Sequence, residues 1–547
     1  MLLTRDSLTT LPPPAVGHPT MDALLATLLE RTRAHPLGVA LVEPGGTWHR
    51  WLGRPRRRIT HGELGQRIAV ASAQLRELGL GEGDAVLYAV RPGVNAMVLL
   101  SALFRAGPTV IGLDAGIGDA LLAERLKPFA LRWVVAESIV FAAGAPGLLR
   151  TWLRRRGIVL PDIALAGARF VRVGAAWLPG VPMSIPGESL WRDAPASVPV
   201  PELPADRAVL AIFTSGTTAA PKTVLHTSAS LGAACTIIGR RMALSTADVV
   251  YSNQTHQMLA AVLAGATCVV PGSKTDARHF IDDIARYRVT HTYAVPFELA
   301  SVVDRLERQR QRLPAHLRVI VLGSAPVRPT FLRRLRAVCA PTTDVWCAYG
   351  MSEMFPVALV ESREKLAFDG EGDLVGTPVE GAQVALADDG ELSVGGPNLF
   401  ARYVGLPPVT LHATGDLARL DAQGRLVLLG RKKDMIIRGH HNIYPSLYED
   451  TIAALPGVEA CAMVGRPSAD HTDEQLVLAV EPRADVDGAA LRQRVQQALA
   501  DGSCAIDAFA RPDHVLVGRL PRSGRSNKLD RRQLAAWAEA ELVRHGH

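Results

Sequence analysis

From about residue 59 the chain alternates two kinds of apolar pattern. Helical spacing runs over residues 62–80 and 95–106, and short apolar runs suited to strands cover 85–90 and 110–113. Similar short runs recur at 208–213, 267–270, 291–295 and 319–322. Such alternation predicts parallel strands joined by crossover helices. Between about residues 377 and 429 the pattern changes to short apolar runs broken by glycine and Asp-Gly pairs, which predicts antiparallel hairpins. After the basic stretch at 430–434 mixed α/β alternation returns for a little more than a hundred residues. The predicted boundary lies there, with domains at 1–432 and 433–547. No internal repeat or long low-complexity tract interrupts the pattern.

With 547 residues, 48% of them hydrophobic, the chain has the apolar material for two or more domains. Its 60 basic residues are interleaved with 53 acidic ones, for a net charge of +7. That dispersal argues against nucleic acid as a partner, which calls for a basic face. Six cysteines, at 235, 268, 339, 347, 461 and 504, show no paired spacing, so a reducing cytoplasm without structural zinc is expected. The first residues lack a signal peptide's basic start and apolar core, and no apolar run reaches the roughly 20 residues of a membrane helix. The expected protein is cytoplasmic, without integral membrane contact.

Chemistry first shows after the run at 208–213. Thr214, Ser215, Gly216, Thr217 and Thr218 are followed by Ala219, Pro221, Lys222 and Thr223. Small hydroxyl residues and glycine let backbone N–H groups approach phosphate oxygens, while a lysine balances charge. The spacing is not that of an ordinary P-loop. The segment resembles the phosphate-binding signature of the adenylate-forming enzymes, which include acyl-CoA synthetases, peptide-synthetase adenylation domains and luciferases. Glycine is usual in that family where Ala219 and Thr223 stand here. If both positions need a positive φ, each Cβ costs roughly 1–2 kcal/mol, enough to weaken nucleotide handling about a hundredfold. The expectation is an impaired adenylation half-reaction.

Three further segments follow in the family's order. Gly323, Ser324, Ala325 and Pro326 resemble a Gly-Gly-Ala-Pro stretch that lies along adenine, with Ser324 replacing the second glycine. The segment 348–354, containing Tyr349, Gly350, Ser352 and Glu353, resembles the Tyr-Gly-x-Thr-Glu motif. The resemblance implies that Tyr349 stacks on adenine, Ser352 holds a phosphate oxygen and Glu353 binds Mg²⁺. The longest match runs over 414–445. There Asp416 resembles the carboxylate that accepts both ribose hydroxyls, Arg431 a second nucleoside contact, and Lys433 the hinge of a swinging C-terminal domain. Arg438, Gly439 and His440 fall in the loop that completes a pantetheine tunnel in one pose. His256 matches a histidine bordering the acyl pocket. Lys528, in a tail resembling Leu-Pro-x-Thr-x-x-Gly-Lys, matches the lysine that reaches the substrate carboxylate and α-phosphate, where an ammonium stabilises developing charge.

The resemblance covers roughly residues 20–540. It implies an α/β fold: a large N-terminal domain of sheets packed with helices plus a small barrel-like part, and a small mobile α+β C-terminal domain. Implied ligands are ATP/AMP, Mg²⁺ and coenzyme A, with an apolar carboxylic acid or its acyl-adenylate as substrate. If adenylation is weak, a separate upstream enzyme would supply the adenylate. Residues 88–118 are similar to long-chain acyl-CoA synthetase relatives that include β-lactone synthetases, in which a β-hydroxyl replaces CoA. A catalytically silent nucleotide- or acyl-binding protein is the third alternative.

Overall fold

The computed structural model describes residues 17–43, 57–113, 119–155, 160–192, 203–213, 222–272, 277–438, 441–467, 474–501, 503–504, 506–507, 510–523 and 528–544; the side chains of residues 120, 154, 155, 437, 441 and 442 are left aside. The predicted alternation is present. Helix His61–Glu77 starts at Thr60, whose side chain accepts from Glu63 N while Glu63 bonds back to Thr60 N. This reciprocal cap satisfies two otherwise unpaired donors. Strand Ala85–Ala89, helix Val94–Ala106 and strand Thr109–Gly112 follow.

Two large sheets are formed. In the larger, strands Asp344–Met351, Val319–Leu322, His291–Ala294, Val249–Tyr251, Thr267–Val269 and Val39–Glu43 lie side by side in parallel. In the second, Ala208–Phe213, Thr109–Gly112, Ala85–Ala89, Leu131–Glu137 and Arg169–Val173 are parallel. Helix Val94–Ala106 touches strands of both sheets, and all of its residues except Arg105 are buried. An apolar helix is the element able to fill a space walled on both sides. The hairpin region appears as antiparallel strands Asp373–Pro378, Gln383–Leu386, Glu391–Gly395, His412–Leu420 and Leu426–Arg431, which extend the larger sheet around a cluster including Leu392, Val394, Phe400 and Leu426.

Residues from Ile436 onward have their own core. Strands Val458–Pro467, Glu474–Pro482 and His514–Val517 form a three-stranded sheet. Met463, Leu476, Leu478 and Val480 pack on one side, and Ala462, Val464, Val477 and Ala479 on the other. Ser446 Oγ donates to Leu429 O at 2.7 Å, and Arg328 pairs with Asp450 at 3.4 Å, tying this unit to the rest. All six cysteines are free and buried.

Helix Ser228–Arg241 crosses the start of helix Met21–Ala34 at Gly232, where an added Cβ would lie 2.3 Å from Pro19 O and 2.6 Å from Met21 N. Helix propensity alone favours alanine there by about 1 kcal/mol, whereas forced displacement of backbone costs typically 1–3 kcal/mol. Gly232→Ala should therefore lower the thermal unfolding midpoint. A raised midpoint in a scanning calorimetry comparison would show that the two helices can separate freely.

Candidate functional site

Three of the nucleotide motifs found in the sequence leave the carboxyl end of a parallel strand, and the fourth, with Asp416 and Arg431, lies on an antiparallel pair of the larger sheet. The phosphate-loop segment follows Ala208–Phe213, the Gly323–Pro326 segment follows Val319–Leu322, and Tyr349 and Gly350 close Asp344–Met351. His256 lies on helix Thr255–Ala264, which follows Val249–Tyr251. Crevices outside the carboxyl ends of strands are where open α/β sheets bind ligands, so the topology gathers segments distant in sequence.

The centre is Asp416, only 4% exposed. It sits opposite Arg431 across the antiparallel pair His412–Leu420 and Leu426–Arg431. Arg431 Nε lies 2.7 Å from Oδ1, and Tyr349 Oη donates to Oδ2 at 2.5 Å. Thr414 Oγ1 accepts from Asp416 N at 3.0 Å, and Arg431 Nη1 donates to Thr414 O at 3.1 Å. Burial raises the Asp416 carboxyl above its ordinary range, against the pull of Arg431 and the Tyr349 hydrogen bond. The Tyr349 phenol is pushed up by burial and by the Asp416 carboxylate. A carboxylate has about four lone-pair sites, so two remain for a pair of hydroxyls.

Lys528, from the C-terminal unit, keeps solvent access yet lies within electrostatic reach of the same cluster. Burial and the Arg431 cation lower its pKa, with Asp416 opposing. It begins a short strand, Lys528–Leu529, paired with Arg522–Ser523.

Ser352 and Glu353 form the two-residue turn between strands Asp344–Met351 and Met354–Glu361. Tyr403 Oη donates to Glu353 Oε1 at 2.7 Å, and Lys222 Nζ stands 4.7 Å from the centre of the Tyr403 ring. Phe400 and His412 pack edge-on against Tyr403. Tyr403 and its aromatic neighbours escaped the sequence reading, because a tyrosine in an apolar run has no spacing that distinguishes it.

An aromatic wall adjoins this turn. His256 meets Tyr293 and Phe355 edge-on at centroid distances of 5.6 and 5.7 Å, and burial pushes its pKa down to about 4. Its imidazole is therefore neutral at physiological pH. Tyr293 Oη shares a hydrogen bond of 2.8 Å with Ser324 Oγ. A Cβ on Gly323 would fall 2.6 Å from that phenol oxygen, so a larger residue there would have to displace the Tyr293 ring. Ser324 adopts φ +63°, the left-handed region in which an L-residue costs roughly 1–2 kcal/mol. Ala325 is half-buried and Pro326 exposed.

Thr223 corrects one expectation. It lies in strand Thr223–Thr227, opposite Phe213, and is absent from the residues with positive φ. An extended residue gains nothing from glycine's freedom, so no strain arises there; the left-handed serine in this neighbourhood is Ser324. Thr214, Ser215, Gly216, Thr217, Thr218 and Ala219, like Gly439, His440 and Asn527, lie outside the described residues.

Lys433 is exposed in the turn Lys432–Asp434. Its neighbours are anchored in opposite directions. Lys432 Nζ pairs with Asp389 at 2.6 Å and Glu391 at 2.8 Å, and Asp434 pairs with Arg531 at 3.3 Å. Arg531 in turn makes two 2.7 Å bonds to Glu449. Arg438 is held by Asp513 Oδ1 at 2.6 Å and Arg511 O at 2.8 Å.

A buried carboxylate paired with an arginine across two antiparallel strands, beside a tyrosine at the carboxyl end of a parallel strand and a lysine from a second unit, fits the adenylate-forming class of enzyme. The model of the family described as AMP-binding enzyme matches residues 30–404, and the chain belongs to that family. It is 29% identical to a feruloyl-CoA synthase of an Amycolatopsis species over 80% of this chain and 84% of the relative. It is 27% identical to an olefin β-lactone synthetase of Stenotrophomonas maltophilia, covering 88% and 92%. In fold it is similar to the amide bond synthetase McbA of Marinactinospora thermotolerans, with a TM-score of 0.75, 21% identity and coverage of 94% and 99%. Among the described residues no helix is long and apolar enough to cross a membrane.

His226, fully buried, sits behind the site with Nε2 2.8 Å from Ser352 O and Nδ1 3.3 Å from Ser230 Oγ. Burial pushes its pKa down to about 4 from an ordinary 6.5. Between those values the unfolded chain binds a proton that the folded one refuses, so stability is full above about pH 6.5 and falls as pH drops towards 4, by up to roughly 3 kcal/mol. His226→Asn should flatten the pH dependence of the unfolding midpoint in this window. Unchanged slopes for variant and wild type would remove His226 as a source of acid sensitivity.

Proposed function

We propose that this enzyme is an acyl-CoA ligase. A carboxylate oxygen attacks the α-phosphorus of ATP, pyrophosphate leaves, and the acyl-AMP then passes its acyl group to the thiol of coenzyme A with departure of AMP. The observation that carries this reading is the Asp416–Tyr349–Arg431 cluster with Lys528 beside it. The cluster suits a ribose: a carboxylate with lone pairs to spare accepts hydroxyls, and Tyr349 offers its ring to a base. Lys528 supplies positive charge where carboxylate and phosphate must approach each other. The depressed pKa of Lys528 reflects the loss of water and the nearby Arg431; the charge of an arriving anion would oppose both by favouring the ammonium.

Mg²⁺ commonly takes one or two carboxylates plus substrate phosphates, and Glu353, with one oxygen steadied by Tyr403, fits that pattern. The bound ion would neutralise phosphate charge. Among the described residues no group of three or more His, Cys, Asp or Glu side chains could hold a metal without such help from substrate. The neutral wall of His256, Tyr293 and Phe355 suits an uncharged acyl chain. The case for a weak adenylation half now rests on Ala219, because Thr223 contributes no strain. The names of the three relatives specify a thioester, a lactone and an amide, so acceptor identity is the point to test.

The test is mass spectrometry of products from lipophilic acids, with and without a β-hydroxyl, incubated with MgATP and either CoA or a simple amine. A thioester is expected; a β-lactone or amide formed in preference would replace the CoA assignment, and no product with any acceptor would leave a binding protein. Lys528→Ala should lower the rate from acid and ATP by a factor of about 100 or more while sparing thioester formation from supplied acyl-AMP. Equal loss of both would deny Lys528 a role in the first half alone.

The segment Lys432–Asp434 is proposed as the hinge, since its first residue is anchored to the Asp389–Glu391 hairpin and its last to Arg531. Fixing the torsion of Lys433 with proline should leave one half-reaction and collapse the other. A folded Lys433→Pro variant that loses both equally would move the hinge elsewhere.

A further inference from the structure

Six of the twelve exposed large hydrophobic residues among the described residues lie between positions 139 and 183. Three belong to helix Leu148–Arg155, whose orientation is inverted. Arg150 faces inward, its side chain 12% exposed and ion-paired to Asp119, while Leu148 is 91% exposed and Trp152, one turn on, 49%. A helix that only closed a core would turn these residues the other way. The loop from Gly174 to Gly187 folds against the same region, since a Cβ on Gly180 would lie 2.4 Å from Ala145 Cβ. It presents Trp177 at 81% and Met183 at 99% exposure, and its fourteen residues include no charged side chain.

We propose that this face is a docking surface for an anionic lipid bilayer, holding the enzyme at the membrane surface without crossing it. Tryptophan, leucine and methionine facing outward, with arginines close by, is the composition that settles at the boundary between headgroups and acyl chains. The charge is complementary to such lipids. Arg150 is paired with Asp119, but the sequence of the helix adds Arg154 and Arg155, and no acidic residue occurs from 145 to 155. A second copy of the chain fits less well, because a twofold contact sets the same patch against itself and opposes arginine to arginine. Docking here would place the enzyme beside a reservoir of lipophilic acids, although the surface is independent of which acceptor the active site uses.

The experiment is co-sedimentation of the full chain with vesicles of phosphatidylcholine alone and of phosphatidylcholine mixed with phosphatidylglycerol. Binding is expected to the mixed vesicles and to weaken as salt is raised. The triple variant Leu148→Ser/Trp177→Ser/Met183→Ser should bind at least about tenfold less, while Leu406→Ser, an exposed leucine elsewhere, should bind as the parent does. Single substitution of Met183, which touches almost nothing, should give a smaller loss in the same direction if the triple variant misfolds. No binding to mixed vesicles, equal binding to both lipid mixtures, or undiminished binding by the variants overturns the proposal. So does a concentration-dependent dimer in sedimentation velocity that the triple variant abolishes.

Discussion

A carboxylate withdrawn from water is the constraint around which this site is organised. Asp416 is paired with Arg431 and accepts from Tyr349, against the burial that raises its pKa, and removing either partner would leave a buried carboxyl short of a partner at a cost of several kcal/mol. The pairing is possible because strand register sets Asp416 directly opposite Arg431. Tyr349 arrives from a different part of the same sheet, at the end of its last parallel strand. Arg431 ends its own strand and is followed at once by the turn that leads into the C-terminal unit. The residue that pairs with the buried carboxylate is therefore bonded directly to the segment proposed to move. The proposed shift of the C-terminal unit would change the field at Asp416 by withdrawing Lys528, while Arg431 lies in the strand pair that precedes the turn.

The turn that carries Glu353 is arranged differently. Glu353 stands on a two-residue turn, a flexible place for a charged group, and an aromatic cluster steadies it. Tyr403 donates to the carboxylate, and Phe400 and His412 pack on the Tyr403 ring. Lys222 over the face of that ring brings a cation to the same turn, at the modest energy of an exposed cation–π contact.

Much of this was legible in the residues. The strands at 208–213 and 319–322 and the helix near 95–106 follow from apolar periodicity, because burial on one or two faces leaves a pattern along the chain. Tyr349, Glu353, Asp416, Arg431 and Lys528 stood out as motif members, and the structure brings Tyr349, Asp416, Arg431 and Lys528 near one another. What escaped was geometry without a sequence mark. Thr223 looked strained because a glycine is usual there, yet its backbone is extended, and a residue's φ is set by strand pairing that one sequence does not display. Ser324 bears the left-handed conformation, and its partner Tyr293 lies 31 positions away. The inverted helix at 148–155 was equally hidden, because an amphipathic pattern does not say which face the fold turns outward.

The buried cysteines have a practical bearing on the study of motion. Burial raises the thiols of Cys235, Cys268, Cys347 and Cys461 to about 12 and that of Cys339 to about 11, and it also raises Cys504. Reagents that alkylate thiols react with the thiolate, and at neutral pH these six residues offer almost none of it. A pair of cysteines introduced on the surface, one on either side of Lys433, could thus carry a donor and an acceptor dye against a silent background. The separation of the two units could then be followed in single molecules of the otherwise unaltered chain.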